Sequence, residues 1–179
     1  MNKELIKGLI AEYQQFVKSV SFVKRAVTLS DNFNYVFVGL RRVGKSYLMY
    51  QQIHHLIEIG ISPEEILFFN FEDERIAGMD TEHLDMIKRC YEEMYSHRPI
   101  FFLDEIQIVP HWEQFVRRLA DQKYRVYVTG SNAKMLSKDI ATTLGGRFMI
   151  QYVYPFSFRE YLSSNGVQLD KLWIYKNRS

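Results

Sequence analysis

The chain has 179 residues, 47% of them hydrophobic, enough to bury one sizeable core, so one main domain is the default. Its 23 basic and 21 acidic residues leave a formal net charge of +2, which lends no support to a nucleic-acid surface beyond a local basic patch. A single cysteine, Cys90, excludes an intrachain disulfide, and no run reaches the ~18 apolar residues of a membrane span, so a reducing, cytoplasmic setting without a membrane is expected.

Residues 3–20 read as an amphipathic helix, with Leu5, Leu9, Ile10, Tyr13, Phe16, Val17 and Val20 near helical spacing. Lys3, Glu4 and Lys7 interrupt its apolar face, so it is not a signal peptide. Whether it packs on this domain or on a partner stays open. Val27 to Leu29 reads as a short extra strand, and Tyr35 to Val38 as the first core strand. A helix follows to about Ile59, stopped by Gly60, and Ser62-Pro63-Glu64-Glu65 carries the signature of a capped helical turn. Ile66 to Phe71 is an apolar run of strand length. Thr81 reads as the cap of a helix to about Tyr95, with Leu84, Ile87, Tyr91 and Met94 inward. Ile100 to Leu103 is a continuous apolar strand suited to burial on both faces. Trp112 to Gln122 reads as a helix, Arg125 to Thr129 as a fourth strand, residues 133–136 as a short helix and Phe148 to Val153 as a fifth strand. A last helix begins near Ser157. Strands alternating with helices define an α/β, three-layer αβα architecture around a parallel sheet.

The stretch between the first strand and its helix carries the strongest chemical signal. Gly39-Leu40-Arg41-Arg42-Val43-Gly44-Lys45-Ser46 fits G-x-x-x-x-G-K-[ST], the loop that wraps phosphates, with Tyr47 next in line. Glycines let backbone N–H groups curl around an anion, and the helix start adds its positive dipole end. Lys45 would reach the β- and γ-phosphates of a nucleotide, and the Ser46 hydroxyl would ligate Mg²⁺. A chance match in a chain of this length is on the order of half a per cent, so a plain glycine turn is a poor account of it.

Phe101-Phe102-Leu103-Asp104-Glu105 is the second signal, an apolar strand ending in an acidic pair. Opposite a phosphate loop, Asp104 would hold the Mg²⁺ shell and Glu105 would orient or deprotonate an attacking water. Ser131 and Asn132, past the fourth strand, are candidates to hydrogen-bond the γ-phosphate or the water, and also ordinary turn or cap residues. Arg147 is a candidate for steadying transition-state charge. Arg41 and Arg42 read as facing solvent or a partner, and Glu72-Asp73 as a solvated loop. In parallel sheets ligands bind at the carboxyl ends of the strands, where Gly39, Asp104 and Thr129 to Asn132 all fall. The five histidines show no zinc-like spacing. Ser131-Asn132-Ala133-Lys134 is not the base-reading Asn-Lys-x-Asp of GTPases, so ATP is preferred by elimination.

These residues resemble the AAA-type P-loop ATPases, a group of bacterial and archaeal ATP-binding proteins. The resemblance rests on Gly39 to Ser46, on Phe102-Leu103-Asp104-Glu105-Ile106-Gln107 with Trp112-Glu113 behind, on Thr129 to Asn132, on Leu144-Gly145-Gly146-Arg147, and on Tyr154 to Leu162. It implies a P-loop NTPase fold with strand order 5-1-4-3-2, Ser131 or Asn132 as sensor of the γ-phosphate, and Arg147 as an arginine finger or intramolecular sensor. Gly146 stands where the group often has Ala. Members usually continue into further C-terminal domains, so the expected division is residues 1–33 as helix and lead-in, 34–154 as the ATPase domain, and 155–179 as the start of a C-terminal region. The expected activity is Mg²⁺-dependent ATP hydrolysis driving a partner protein, a further copy or a C-terminal domain. Two rivals stay open at this point: a small-metabolite P-loop kinase, and a nucleotide-gated switch or scaffold with little turnover.

Overall fold

A computed structural model of the chain describes residues 2–131 and 139–167. Five strands form one sheet: β1 (Asn34–Val38), β2 (Ile66–Asn70), β3 (Ile100–Asp104), β4 (Val126–Gly130) and β5 (Phe148–Tyr152). Every neighbouring pair is parallel, in the order β2-β3-β4-β1-β5, which is the expected 5-1-4-3-2 read from the other edge. Strands β3 and β4 are buried at all five positions, as parallel strands covered on both faces must be. Aromatic rings tie the central strands together: Phe102 stacks on Tyr127 at 4.5 Å, and Tyr127 on Tyr35 at 5.9 Å.

The described helices are α1 (Lys3–Ser19), α2 (Lys45–Glu58), α3 (Thr81–Met94), α4 (Trp112–Asp121), α5 (Asp139–Thr143) and α6 (Phe158–Ser164). Helix α1 settles the question its sequence left open. It packs on β2 and α3 of this domain and buries Ile6, Leu9, Ile10, Tyr13 and Val17 in the common core. Tyr13 meets Phe68 and Phe69 edge-on, and its hydroxyl donates to Asp73 at 2.6 Å. Asp73 also binds Arg75, which reaches back to Glu12 on α1, so this carboxylate serves the α1 contact.

Two local expectations are corrected. Val27 to Leu29 forms no strand; Gln51 of α2 takes the place of a ladder partner, accepting from the Arg25 N–H at 2.6 Å and donating to the carbonyls of Arg25 and Val27. Asp80, not Thr81, caps α3: its carboxylate accepts from the N–H groups of Glu82 and His83, while Thr81 is the first helical residue and donates to the Pro110 carbonyl. The Ser62 turn is a short 3₁₀ helix closed by the expected Ser62–Glu65 capping box. The expected helix at 133–136 lies outside the described residues. Among the described residues no helix is long and apolar enough to cross a membrane.

Candidate functional site

Because the strands are parallel, β1, β3 and β4 all end on one edge, and their last residues meet there. Past Val38, Gly39 has no room for a side chain: a Cβ would lie 2.4 Å from the Val153 carbonyl oxygen where the chain leaves β5. Gly44 has φ +91, the left-handed turn that starts α2, and Arg42 also has positive φ. Leu40, Arg41 and Arg42 line the outside of the loop and Val43 is buried beneath it. Arg41 pairs with Glu72 at 2.8 Å on the surface.

Lys45 is 4% exposed. Its ammonium donates to the Leu40 carbonyl at 3.1 Å and faces a Glu105 carboxylate oxygen at 3.3 Å. That places the loop lysine and the candidate base in direct contact. The other Glu105 oxygen accepts from Ser131 Oγ at 3.0 Å and from Gln107 Nε2 at 2.6 Å. Glu105 itself sits at φ +54, a left-handed conformation costing a non-glycine residue about 1–2 kcal/mol. The turn swings its side chain off the strand line toward Lys45. Thr129, fully buried at the end of β4, stitches the acidic pair to the sheet: its hydroxyl accepts from the Glu105 N–H at 2.8 Å and donates to Asp104 at 2.5 Å.

The Ser46 hydroxyl lies near enough to Asp104 to favour its charged form, so two hard oxygen donors stand together in a set suited to Mg²⁺. Among the described residues there is no group of three or more His, Cys, Asp or Glu that could hold a metal ion. Burial pushes the Asp104 carboxyl up to about 6, against the pull of the Thr129 and Ser46 hydroxyls. The native free chain therefore holds a proton that the unfolded chain sheds near the ordinary value. Stability from this group is full at low pH and lost as pH rises through about 6. Asp104→Asn removes that titration. In urea melts without nucleotide it is expected to be more stable than wild type near pH 7.5, by up to roughly 2 kcal/mol, with the gain shrinking as pH falls and absent near pH 3. A variant less stable than wild type at the higher pH would overturn the burial account.

Beside the loop lies an apolar pocket of about 640 Å³, lined by Ser21, Phe22, Val23, Arg25, Arg42, Val43, Gly44, Tyr47, Pro155 and Phe156. Of these only the loop residues and Tyr47 were candidates from sequence. The pocket abuts the phosphate loop, includes the aromatic residues Phe22, Tyr47 and Phe156, and is large enough for a purine ring. Nothing local marks it: its walls come from the lead-in and from the segment after β5, which are joined only by the fold.

One described candidate is not brought into this cluster. Arg147 precedes β5 and so lies at the amino edge of the sheet, about 16 Å from the loop for a five-residue strand. There its side chain pairs with Asp121 at 2.5 Å and its carbonyl accepts from Asn34. Of the two roles the resemblance implies, arginine finger or intramolecular sensor, this position sets Arg147 apart from the loop of its own chain. Asn132 lies outside the described residues. Conversely, Thr129 and Gln107 had no assigned role. A threonine ending an otherwise apolar buried strand was the available signal for the first.

Strand order, loop and acidic pair together define a P-loop nucleotide-binding domain. The model of the AAA domain family matches residues 31–162, and the chain belongs to that family. It is 32% identical over 171 residues to an uncharacterized protein of Methanocaldococcus jannaschii, covering 94% of this chain and 37% of the relative. It is 35% identical over 162 residues to an uncharacterized protein of Haemophilus influenzae, covering 86% and 40%. The chain thus spans well under half the length of these relatives. The fold is also that of AMPPCP-bound DnaA from Aquifex aeolicus (TM-score 0.51, 14% identity, 97% of this chain and 54% of that one) and of the S. cerevisiae Hsp104–ADP complex (0.55, 16%, 92% and 23%).

Proposed function

We propose that this chain binds ATP with Mg²⁺ and hydrolyses the terminal phosphate. The observation that carries the reading is the contact of Lys45 with Glu105 at 3.3 Å, beside the Ser46–Asp104 pair, on the edge where the phosphate loop opens. Lys45 and the backbone N–H groups of Gly39 to Ser46 bind the phosphates. Ser46 and Asp104 hold Mg²⁺, which when bound neutralises phosphate charge. Glu105, freed from Lys45 when a phosphate takes its place, accepts a proton from water, and Ser131 steadies that carboxylate or reads the γ-phosphate. The apolar pocket at Phe22, Tyr47 and Phe156 takes the base, with Arg42 and Val43 at its mouth.

A glutamate directly after the aspartate of β3 favours water as acceptor over a kinase substrate, and a switch with little turnover is the second reading. In this proposal residues 34–154 are the ATPase domain, 1–33 its lead-in, and 155–179 the start of the region it drives, in a cytoplasmic protein that acts on a partner or on further copies. Arg147, remote from its own loop, then acts only on the nucleotide of a neighbouring copy. Titration calorimetry of the folded chain with ATP, GTP and Mg²⁺, followed by multiple-turnover phosphate release, tests this. Saturable Mg²⁺-dependent ATP binding with turnover is expected. A folded chain that binds no nucleotide would sink the proposal, and binding without turnover would leave the switch.

A further inference from the structure

Arg25 lies outside every motif, in the lead-in between α1 and β1, yet its side chain is only 7% exposed. A guanidinium so buried needs partners, and each of its partners is on a different part of the site. Its Nε donates to Glu160 on α6 at 2.8 Å. One terminal nitrogen donates to the Val43 carbonyl at 3.1 Å, the other to the Tyr154 carbonyl past β5 at 2.8 Å. The guanidinium also lies 5.0 Å over the Phe156 ring, on the wall of the base pocket. Glu160 in turn closes the capping box of α6, accepting from the Ser157 N–H at 2.8 Å. Burial alone would raise the Glu160 carboxyl, but the Ser157 N–H and Arg25 hold it down to about 2, so the pair stays charged at neutral pH.

Val43 C=O and Gly44 N–H belong to one planar peptide and point in opposite directions. Fixing the carbonyl outside the loop therefore aims the N–H on the phosphate side. A ligand that accepts from that N–H restrains the same peptide, and with it Arg25 and Glu160.

We infer that Arg25 is a positioning residue of the nucleotide site, joining the Val43–Gly44 peptide, the Phe156 wall and α6 into one unit, so that filling the loop and pocket is transmitted to α6. The inference rests on the nucleotide reading above and extends it to what the site moves.

Hydrogen exchange of the full chain, with and without a non-hydrolysable ATP analogue and Mg²⁺, tests it in wild type, Arg25→Lys and Glu160→Gln. Lysine keeps the charge but cannot span three acceptors on three elements. Glutamine keeps the Ser157 contact and never touches the loop, so it serves if Arg25→Lys fails to fold. In wild type the analogue slows exchange in both Gly39–Ser46 and the α6 segment, the latter by roughly tenfold. In the variants the loop response persists, and the α6 response falls to within about twofold of none. A purely structural pair would change α6 exchange equally with and without analogue, and that result would overturn the relay. So would a wild type whose loop responds while α6 does not. A wild-type loop that does not respond removes the nucleotide reading, and the relay with it.

Discussion

Lys45→Ala is expected to lower Mg²⁺·ATP affinity by at least about a hundredfold, since two charge-assisted phosphate contacts are lost at roughly 1.5–3 kcal/mol each. The loss should fall on binding rather than folding. Among the described residues the polar partners of the Lys45 ammonium are only the Leu40 carbonyl and Glu105, and Glu105 keeps Gln107 and Ser131 when Lys45 is gone. Calorimetry alongside a melt separates the two: the variant should unfold cooperatively and leave titrated ATP unbound. Near-wild-type affinity would mean the cradle binds by backbone alone, or that ATP goes elsewhere.

Glu105→Gln is expected to do the reverse. The amide fills the same space and still offers an oxygen toward Lys45, so ATP binds, but it accepts no proton from water. Phosphate release should fall by about 10²–10⁴, the contribution usual for a positioned general base. KM should change little, because the lost interaction belongs to the transition state. If the variant turns over at the wild-type rate, Glu105 is not the base and its contacts with Lys45, Ser131 and Gln107 are structural.

Much of the fold was legible because its signals are local. Strand β3 is an unbroken apolar run, Ser62 to Glu65 is a capping box in four consecutive residues, and the phosphate loop names its own flanking strand and helix. The order of parallel strands is not local. That β4 lies between β1 and β3 came through resemblance, since Tyr35 and its neighbour Tyr127 are joined by no feature of either segment. The same limit hid the apolar pocket beside the loop and the Arg25–Glu160 pair, whose members are 135 residues apart in the chain. Val27 to Leu29 has strand-like side chains, but Gln51 satisfies the backbone there, so propensity had no ladder to act on. The rule that gathers Gly39, Asp104 and Thr129 at the strands' carboxyl ends also sends a residue preceding β5, Arg147, to the opposite edge.

The backbone twists at this site have a consequence for how a ligand is received. Among the described residues four hold left-handed conformations without being glycine, and two of them, Arg42 and Glu105, belong to the edge where the strands end. At Glu105 the twist is held by the Thr129 hydroxyl, which accepts from its N–H. The recess is therefore shaped during folding, with its unfavourable torsions already in place. An arriving polyphosphate meets a mould that is already cast, so its contacts need not be spent on ordering the chain that makes them.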